Sequence, residues 1–260
     1  MTAQPDLLEI APSLYRLRIP DGEAHLLNSY VWLGPDSVAL FDTGWVHSAP
    51  LVEAALHALG RSRKDVGQVV LSHFHEDHAG AAAEIAAWGN AEIIAGAAEA
   101  PVVRGVDDGP LPRFTAAEKT IHSEPTEPPR APACRVDTEV VDGDILPIAG
   151  EAQVLHLPGH TPGSIALHLP RLDVVLTGDT VAEFNGQVVL GVFNVDRAET
   201  RHSALSIAAT GARIAGFGHG EPVMADASAR IEYAQDPFAD PPTTARSQDP
   251  RAGRPAGARP

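Results

Sequence analysis

The chain has 260 residues, 44% of them apolar, and a formal net charge of −15. That length buries a core without cross-links, and the single cysteine, Cys134, excludes an internal disulfide. The acidic balance argues against a nucleic-acid partner, because binding a phosphate backbone depends on Lys and Arg, and lysine occurs only at Lys64 and Lys119.

No apolar run approaches the ~20 residues that cross a bilayer. The polar stretch 1–6 has neither the basic nor the apolar part of a secretion signal. A cytoplasmic chain with no membrane partner is the expectation. The first third then reads as strands. Tyr15, Leu17 and Ile19 alternate with polar neighbours, and the apolar runs 26–33 and 38–41 are too short for helices. Gly34-Pro35-Asp36 marks the turn between them, and Asp42-Thr43-Gly44 ends the second. A helix over 48–60 follows, with Ser48 as its cap, Pro50 in its first turn, Leu51, Ala54, Ala55, Ala58 and Leu59 on one face, and Gly60 as its stop. Val69-Val70-Leu71 is a short buried strand, 79–88 a helix closed by Gly89, and 92–95 another strand.

Between 101 and 132 proline, glycine and charge dominate, with one amphipathic piece around 114–121. An irregular insertion of that length either carries function or lacks order. Strand patterns resume at 135–141, 144–148, 153–157, 165–169 and 174–177. A helix over 198–210, a strand over 213–217 and a helix over 224–234 complete the body. From Asp236 the composition turns to Pro, Arg and Ala and reads as a disordered tail. The expected organisation is one α/β domain over 1–235, carrying the 101–132 insertion, and a tail over 236–260.

The chemistry concentrates at His73-Phe74-His75-Glu76-Asp77-His78, directly after the strand ending at Leu71. Alternate residues of an extended chain point the same way, so His73 and His75 can reach one metal ion together. Asp77 and His78 lie where a turn into the next helix can aim them at a second. Imidazole and carboxylate suit Zn²⁺, and also Fe or Mn. Three more candidates follow apolar strands and stand among glycines: His160 in Gly159-His160-Thr161-Pro162-Gly163, Asp179 in Thr177-Gly178-Asp179-Thr180, and His219 in Gly218-His219-Gly220. Each alone reads as a turn residue; together, in this order after the first cluster, they read as ligands. His156 and His168 lie inside strand patterns and read as structural. Trp45 reads equally as a pocket or a core aromatic.

The set His73, His75, Asp77, His78, His160, Asp179 and His219 resembles the metallo-β-lactamase superfamily, in its glyoxalase II and lactonase-like branch. The resemblance implies a four-layer αββα sandwich. It implies that His73, His75 and His160 hold a first metal, that Asp77, His78 and His219 hold a second, and that Asp179 bridges them. Two Zn²⁺ are the implied cofactors. Asp42 matches a family position that orients a ligand without binding metal. The implied enzyme is a binuclear zinc hydrolase whose metal-bridging hydroxide attacks a small ester, thioester or lactone, with Asp77 or Asp179 relaying the proton.

Departures narrow the branch. The β-lactamases of this fold lack the bridging aspartate, which argues against antibiotic hydrolysis. Glyoxalase II proteins carry a helical C-terminal domain with basic residues for glutathione, which the short stretch after His219 does not resemble. Lactonases place a tyrosine soon after the bridging aspartate, and 180–189 contains none. Persulfide dioxygenases are similar in fold and use one iron; here its ligands would be His73, His160 and Asp179.

Overall fold

The computed structural model describes residues 4–20, 26–121 and 130–240. The first sheet takes its seven strands in chain order: β1 (Leu7–Ala11), β2 (Leu14–Arg18), β3 (Asn28–Leu33), β4 (Val38–Phe41), β5 (Val66–Leu71), β6 (Glu92–Gly96) and β7 (Thr138–Val140). The first four pair antiparallel, and β4 to β7 run parallel. The second sheet contains β8 (Ile145–Leu146), β9 (Ala152–His156), β10 (Ile165–Leu169) and β11 (Val174–Leu176). A separate hairpin follows, β12 (Val181–Phe184) and β13 (Gln187–Leu190); then β14 (Ile214–Gly216) closes the second sheet, parallel to β11.

Burial follows the two-residue period of the strands. On β5, Val69 and Leu71 face a core shared with Val52 and Leu56 of helix α1 (Ala49–Ala58), while Val70 faces the opposite way. Val70 joins Tyr30, Phe41 and Ile94 against Val154, Ile165, Leu167, Val174 and Ile214, so the two sheets pack face to face. The outer face of the second sheet, with Ala166, Val175 and Ala215, packs against Ala204, Ile207 and Ile231. Truncating one of the buried leucines or isoleucines here to alanine costs about 2–5 kcal/mol. The layers are helix, sheet, sheet, helix, the expected sandwich.

The helices are α1, α2 (Glu76–Ala79), α3 (Ala82–Ala86), α4 (Ala100–Val103), α5 (Glu118–Ile121), α6 (Arg197–Ala208) and α7 (Ala227–Glu232). The single helix expected over 79–88 is thus replaced by two short ones. Gly80 separates them, and its Cα lies so close to Trp45 and Val46 that a Cβ there would sit 2.4 Å from the Val46 nitrogen. The early start at Glu76 places Asp77 and His78 on one helical turn.

The strands that precede functional residues all run the same way within their sheets. In the first sheet β4 leads to Asp42, β5 to His73 and β6 to Glu99. In the second, β9, β11 and β14 lead to His160, Asp179 and His219. Their carboxyl ends meet at one edge of the sandwich, and side chains from six strands converge there by topology alone.

Part of the 101–132 insertion lies outside the described residues, at 122–129. The rest is tied down. Glu118, with no solvent exposure, accepts from the Thr115 and Phe193 backbone N–H groups at 2.8 and 2.9 Å and from the Arg197 guanidinium at 2.7 Å. Arg197 also grips the Asp236 carboxylate with two nitrogens. Residues 235–240, which span the start of the tail expected at Asp236, are docked on the body: Gln235 pairs with both Val188 and Leu190 of β13, and Asp240 accepts from the Ala116 N–H. Residues 241–260 lie outside the described residues.

Candidate metal centre

His73, His75 and His160 bring three ring nitrogens to one point. His73 Nε2 and His75 Nδ1 are 3.0 Å apart, and His160 Nε2 stands 3.2 and 3.0 Å from them. The corners of a tetrahedron about Zn²⁺ with ~2.05 Å Zn–N bonds are about 3.3 Å apart, so this triangle fits one face of such an ion's shell. Asp77, His78, Asp179 and His219 form a second group. His219 Nε2 is 3.1 Å from Asp77 Oδ2, and His78 Nε2 is 3.5 Å from the same oxygen. Asp179 faces both groups: its Oδ1 is 3.3 Å from His78 Nε2, and its Oδ2 is 3.4 Å from His219 Nε2 and 3.9 Å from His160 Nε2. All seven predicted ligands meet in this one cluster.

The buried donors fit a bound cation. His78 Nε2 and Asp179 Oδ1 are both buried and make no directed hydrogen bond among the described residues, although they face each other. A polar atom left so is costly unless something else satisfies it. The approach is possible because residue 218 is glycine; a Cβ there would lie 2.0 Å from Asp179 Oδ1.

The outer nitrogens are held from behind. Asp42, 1% exposed and left-handed at φ 62°, accepts from Ser72 N at 2.7 Å with Oδ1. Its Oδ2 accepts from Ser72 Oγ at 2.8 Å and from His78 Nδ1 at 2.9 Å. Ser72 Oγ in turn accepts from His73 Nδ1 at 2.9 Å. One carboxylate therefore fixes His78 directly and His73 through a hydroxyl, leaving each ring's Nε2 for the centre.

The two groups differ in charge. Burial, then the neighbouring imidazoles, pushes His73 well below its usual value; burial takes His75 down to about 3 and lowers His160. Burial also opposes charging of His78 and His219, but there the carboxylates win. Asp179, Asp77 and Asp42 hold His78 well above its usual value, and Asp179 and Asp77 raise His219 to about 10. In return His78 and His219 hold Asp77 and Asp179 below the ordinary carboxylate range against the effect of burial.

The other candidates lie apart from the cluster. His156 sits on β9 and donates through Nε2 to the Pro162 carbonyl at 2.9 Å; His168 is half-buried on β10. Trp45 is partly buried against the first core. Sequence reasoning passes over Glu99 and Glu118, both fully buried. Their only signal is a charged residue inside an apolar or amphipathic run. It also passes over Phe74, whose ring lies 4.9 Å from that of His75 and touches the insertion at Gly109.

Comparison with known proteins agrees with this geometry. The family model of the metallo-beta-lactamase superfamily matches residues 25–219. A hydroxyacylglutathione hydrolase of Cereibacter sphaeroides is 28% identical over 137 residues, which are 52% of this chain and 42% of that protein. A probable metallo-hydrolase of Bacillus subtilis is 30% identical over 151 residues, 56% of each chain. The chain spans about half the length of the curated relatives it matches. Among solved structures, a metallo-beta-lactamase family protein of Thermus thermophilus superposes with a TM-score of 0.65 at 26% identity, over 86% of this chain and 79% of that one. A metallo-beta-lactamase of Cronobacter sakazakii, at 24% identity and a TM-score of 0.62 over 84% and 81%, shares the fold. With that fold, a family match running from the second strand pair to His219, and a His/Asp cluster at the strand ends, the chain belongs to the metallo-beta-lactamase superfamily.

Proposed function

We propose that the chain is a binuclear metal-dependent hydrolase that cleaves a small ester, thioester or lactone. The observation that carries this reading is the pair of adjoining donor groups, with Asp179 of the second placing its Oδ2 3.4 Å from His219 Nε2 and 3.9 Å from His160 Nε2 of the first. His73, His75 and His160 would hold the first ion, Asp77, His78 and His219 the second, and Asp179 would serve both. Nitrogen and carboxylate donors in this number suit two Zn²⁺, with Fe or Mn as the other metals of compatible chemistry. Bound there, the ions supply a water acidified toward neutral pH and a Lewis acid for the substrate's carbonyl oxygen.

The chain's own residues do the rest. Asp42 and Ser72 keep His73 and His78 oriented, so the donors are in place before substrate arrives. Asp77 and Asp179 are held anionic, so an oxygen of either could accept a hydrogen bond from a nucleophilic water and take up its proton. The buried faces of His73, His78 and His160 exclude bulk solvent from one side, and Phe74 links His75 to the insertion at Gly109. The similarity to hydroxyacylglutathione hydrolases supports an acyl substrate, and the acidic chain favours a small molecule over a polyanion. Among the described residues no helix is long and apolar enough to cross a membrane; a cytoplasmic site of action is part of the proposal.

The test is a panel of small esters, thioesters and lactones assayed before chelation, after it, and after zinc is restored. Turnover of at least one class is expected, lost on chelation and recovered with zinc. Turnover that survives complete metal removal contradicts the proposal.

A further inference from the structure

We infer that Glu99 is a positioning residue for the first metal site: its carboxylate ties the loop carrying His73 and His75 to the loop carrying His160. The inference rests on the assignment of those three histidines to one ion.

Glu99 follows β6, the strand beside β5, so the parallel pairing delivers it next to the loop that leaves β5. It has no solvent exposure. Its Oε2 accepts from the backbone N–H of Phe74 at 2.8 Å, the residue between His73 and His75. Its Oε1 accepts from Thr161 Oγ1 at 2.8 Å and from the Gly163 N–H at 2.7 Å, in the loop that opens with His160. The first group draws its nitrogens from two sheets, and the Glu99 side chain bonds to both of the loops concerned. The close approach depends on residue 163 being glycine, since a Cβ there would lie 2.7 Å from the Glu99 nitrogen and 2.8 Å from Oε1.

The alternative role, plain support of the fold, predicts something different. A buried carboxylate is a costly choice for filling space. Burial pushes this one up from the usual range, and its three donors act against that shift. All three donors come from the two loops that present the first group's histidines, and none of them is itself a residue of the second group. Fold support would affect both metal sites alike; a positioning role affects the first.

Two substitutions divide the clamp. In Glu99→Gln the amide oxygen can serve Thr161 and Gly163, but the amide nitrogen then faces the Phe74 N–H, donor against donor. Thr161→Val removes one donor from the other side and leaves Phe74 held. The probe is cobalt(II), titrated into metal-free protein and followed by absorbance. The titration is done in wild type, in Asp77→Ala to isolate the first site, and in His160→Ala to isolate the second. We expect Glu99→Gln to weaken cobalt at the isolated first site by roughly 10–100-fold, as for other residues that orient a ligand, and Thr161→Val to weaken it in the same direction. Neither should change the isolated second site. Equal loss at both sites, or unchanged first-site affinity in Glu99→Gln, overturns the inference while wild type still binding two ions keeps the metal assignment standing. Should Glu99→Gln not fold, the same outcomes in Thr161→Val decide. Wild type binding fewer than two ions overturns the metal assignment and this inference with it.

Discussion

The group of His73, His75 and His160 contains no carboxylate, whereas the group of Asp77, His78, Asp179 and His219 is half carboxylate. The same side chain, imidazole, is driven in opposite directions by that difference. In the first group burial and like neighbours keep the rings neutral. In the second the carboxylates charge them, and the group pairs with itself. The first group is ready for a cation at neutral pH, and the second must give up protons to take one. Asp179 is where the two meet.

The largest effect should come from removing that junction. Asp179→Ala is expected to weaken both ions together and to lower kcat/KM by on the order of 10³-fold or more, since even a residue that only orients a ligand costs ~10–100-fold. Asp77→Ala should weaken the second ion alone. Metal analysis and steady-state kinetics check both; full metal content in Asp179→Ala would rule out the bridge.

The contrast in charge predicts a contrast in pH dependence. The folded value of His219, about 10, lies above its ordinary 6.5. In the metal-free protein its contribution to stability is therefore complete below pH 6.5 and is lost as pH rises through about 10. The second ion competes with that proton, so its apparent affinity should climb with pH until about 10, by about tenfold per unit for each proton released. The first ion meets rings that are already neutral, and its affinity should be flat above pH 6.5. Calorimetric titration in buffers of different ionisation enthalpy counts the protons. Equal proton release at both sites would erase the distinction.

A smaller effect follows from Asp42, which holds His78 directly and His73 through Ser72. Asp42→Asn should cost the second ion ~10–100-fold in affinity and the first less. Competition with a chromophoric chelator resolves the two steps; a first site hit harder than the second would reverse the picture.

How much of this is legible in the chain depends on the range of the contacts. The cluster from His73 to His78 is local: one strand end and one turn present four ligands, and the spacing displays them. His160, Asp179 and His219 are readable because each stands where an apolar strand runs into glycines. The four-layer order comes from the resemblance, since strand periodicity marks two-sided burial at Val69-Val70-Leu71 without saying which layer covers each face. Glu99 is illegible for a physical reason. Its partners Phe74, Thr161 and Gly163 are remote in sequence, and Ala97-Ala98-Glu99-Ala100 has no motif. Hairpin β12–β13 carries a plain local signal, Asn185-Gly186 with both residues at positive φ, the pair most favoured in two-residue turns. It is easily passed over because Asp179 lies just upstream. The docking of Asp236 on Arg197 offsets a composition that reads as disorder.

The smallest effect separates the insertion from the metal sites. The Phe114 and Phe193 rings meet at 5.4 Å; Phe193, at φ 58°, donates its N–H to Glu118, just before Val195 and Asp196, whose N–H groups donate to the His160 and Gly159 carbonyls. Phe114→Ala and Phe193→Ala should leave both ions bound as before. They should change the ratio of kcat/KM between bulky and small acyl substrates by roughly tenfold, as expected for lost apolar contact. A ratio that stays fixed would place the insertion outside the pocket.

The central claim is that two groups sharing Asp179 hold two ions. The most direct measurement is elemental analysis of the purified chain together with zinc titration of its metal-free form. Two ions per chain are expected, bound in two resolved steps, the second releasing protons and the first none. One tightly bound iron per chain, with no second ion taken up at any pH, would contradict the claim and favour an oxidising enzyme that uses His73, His160 and Asp179 alone.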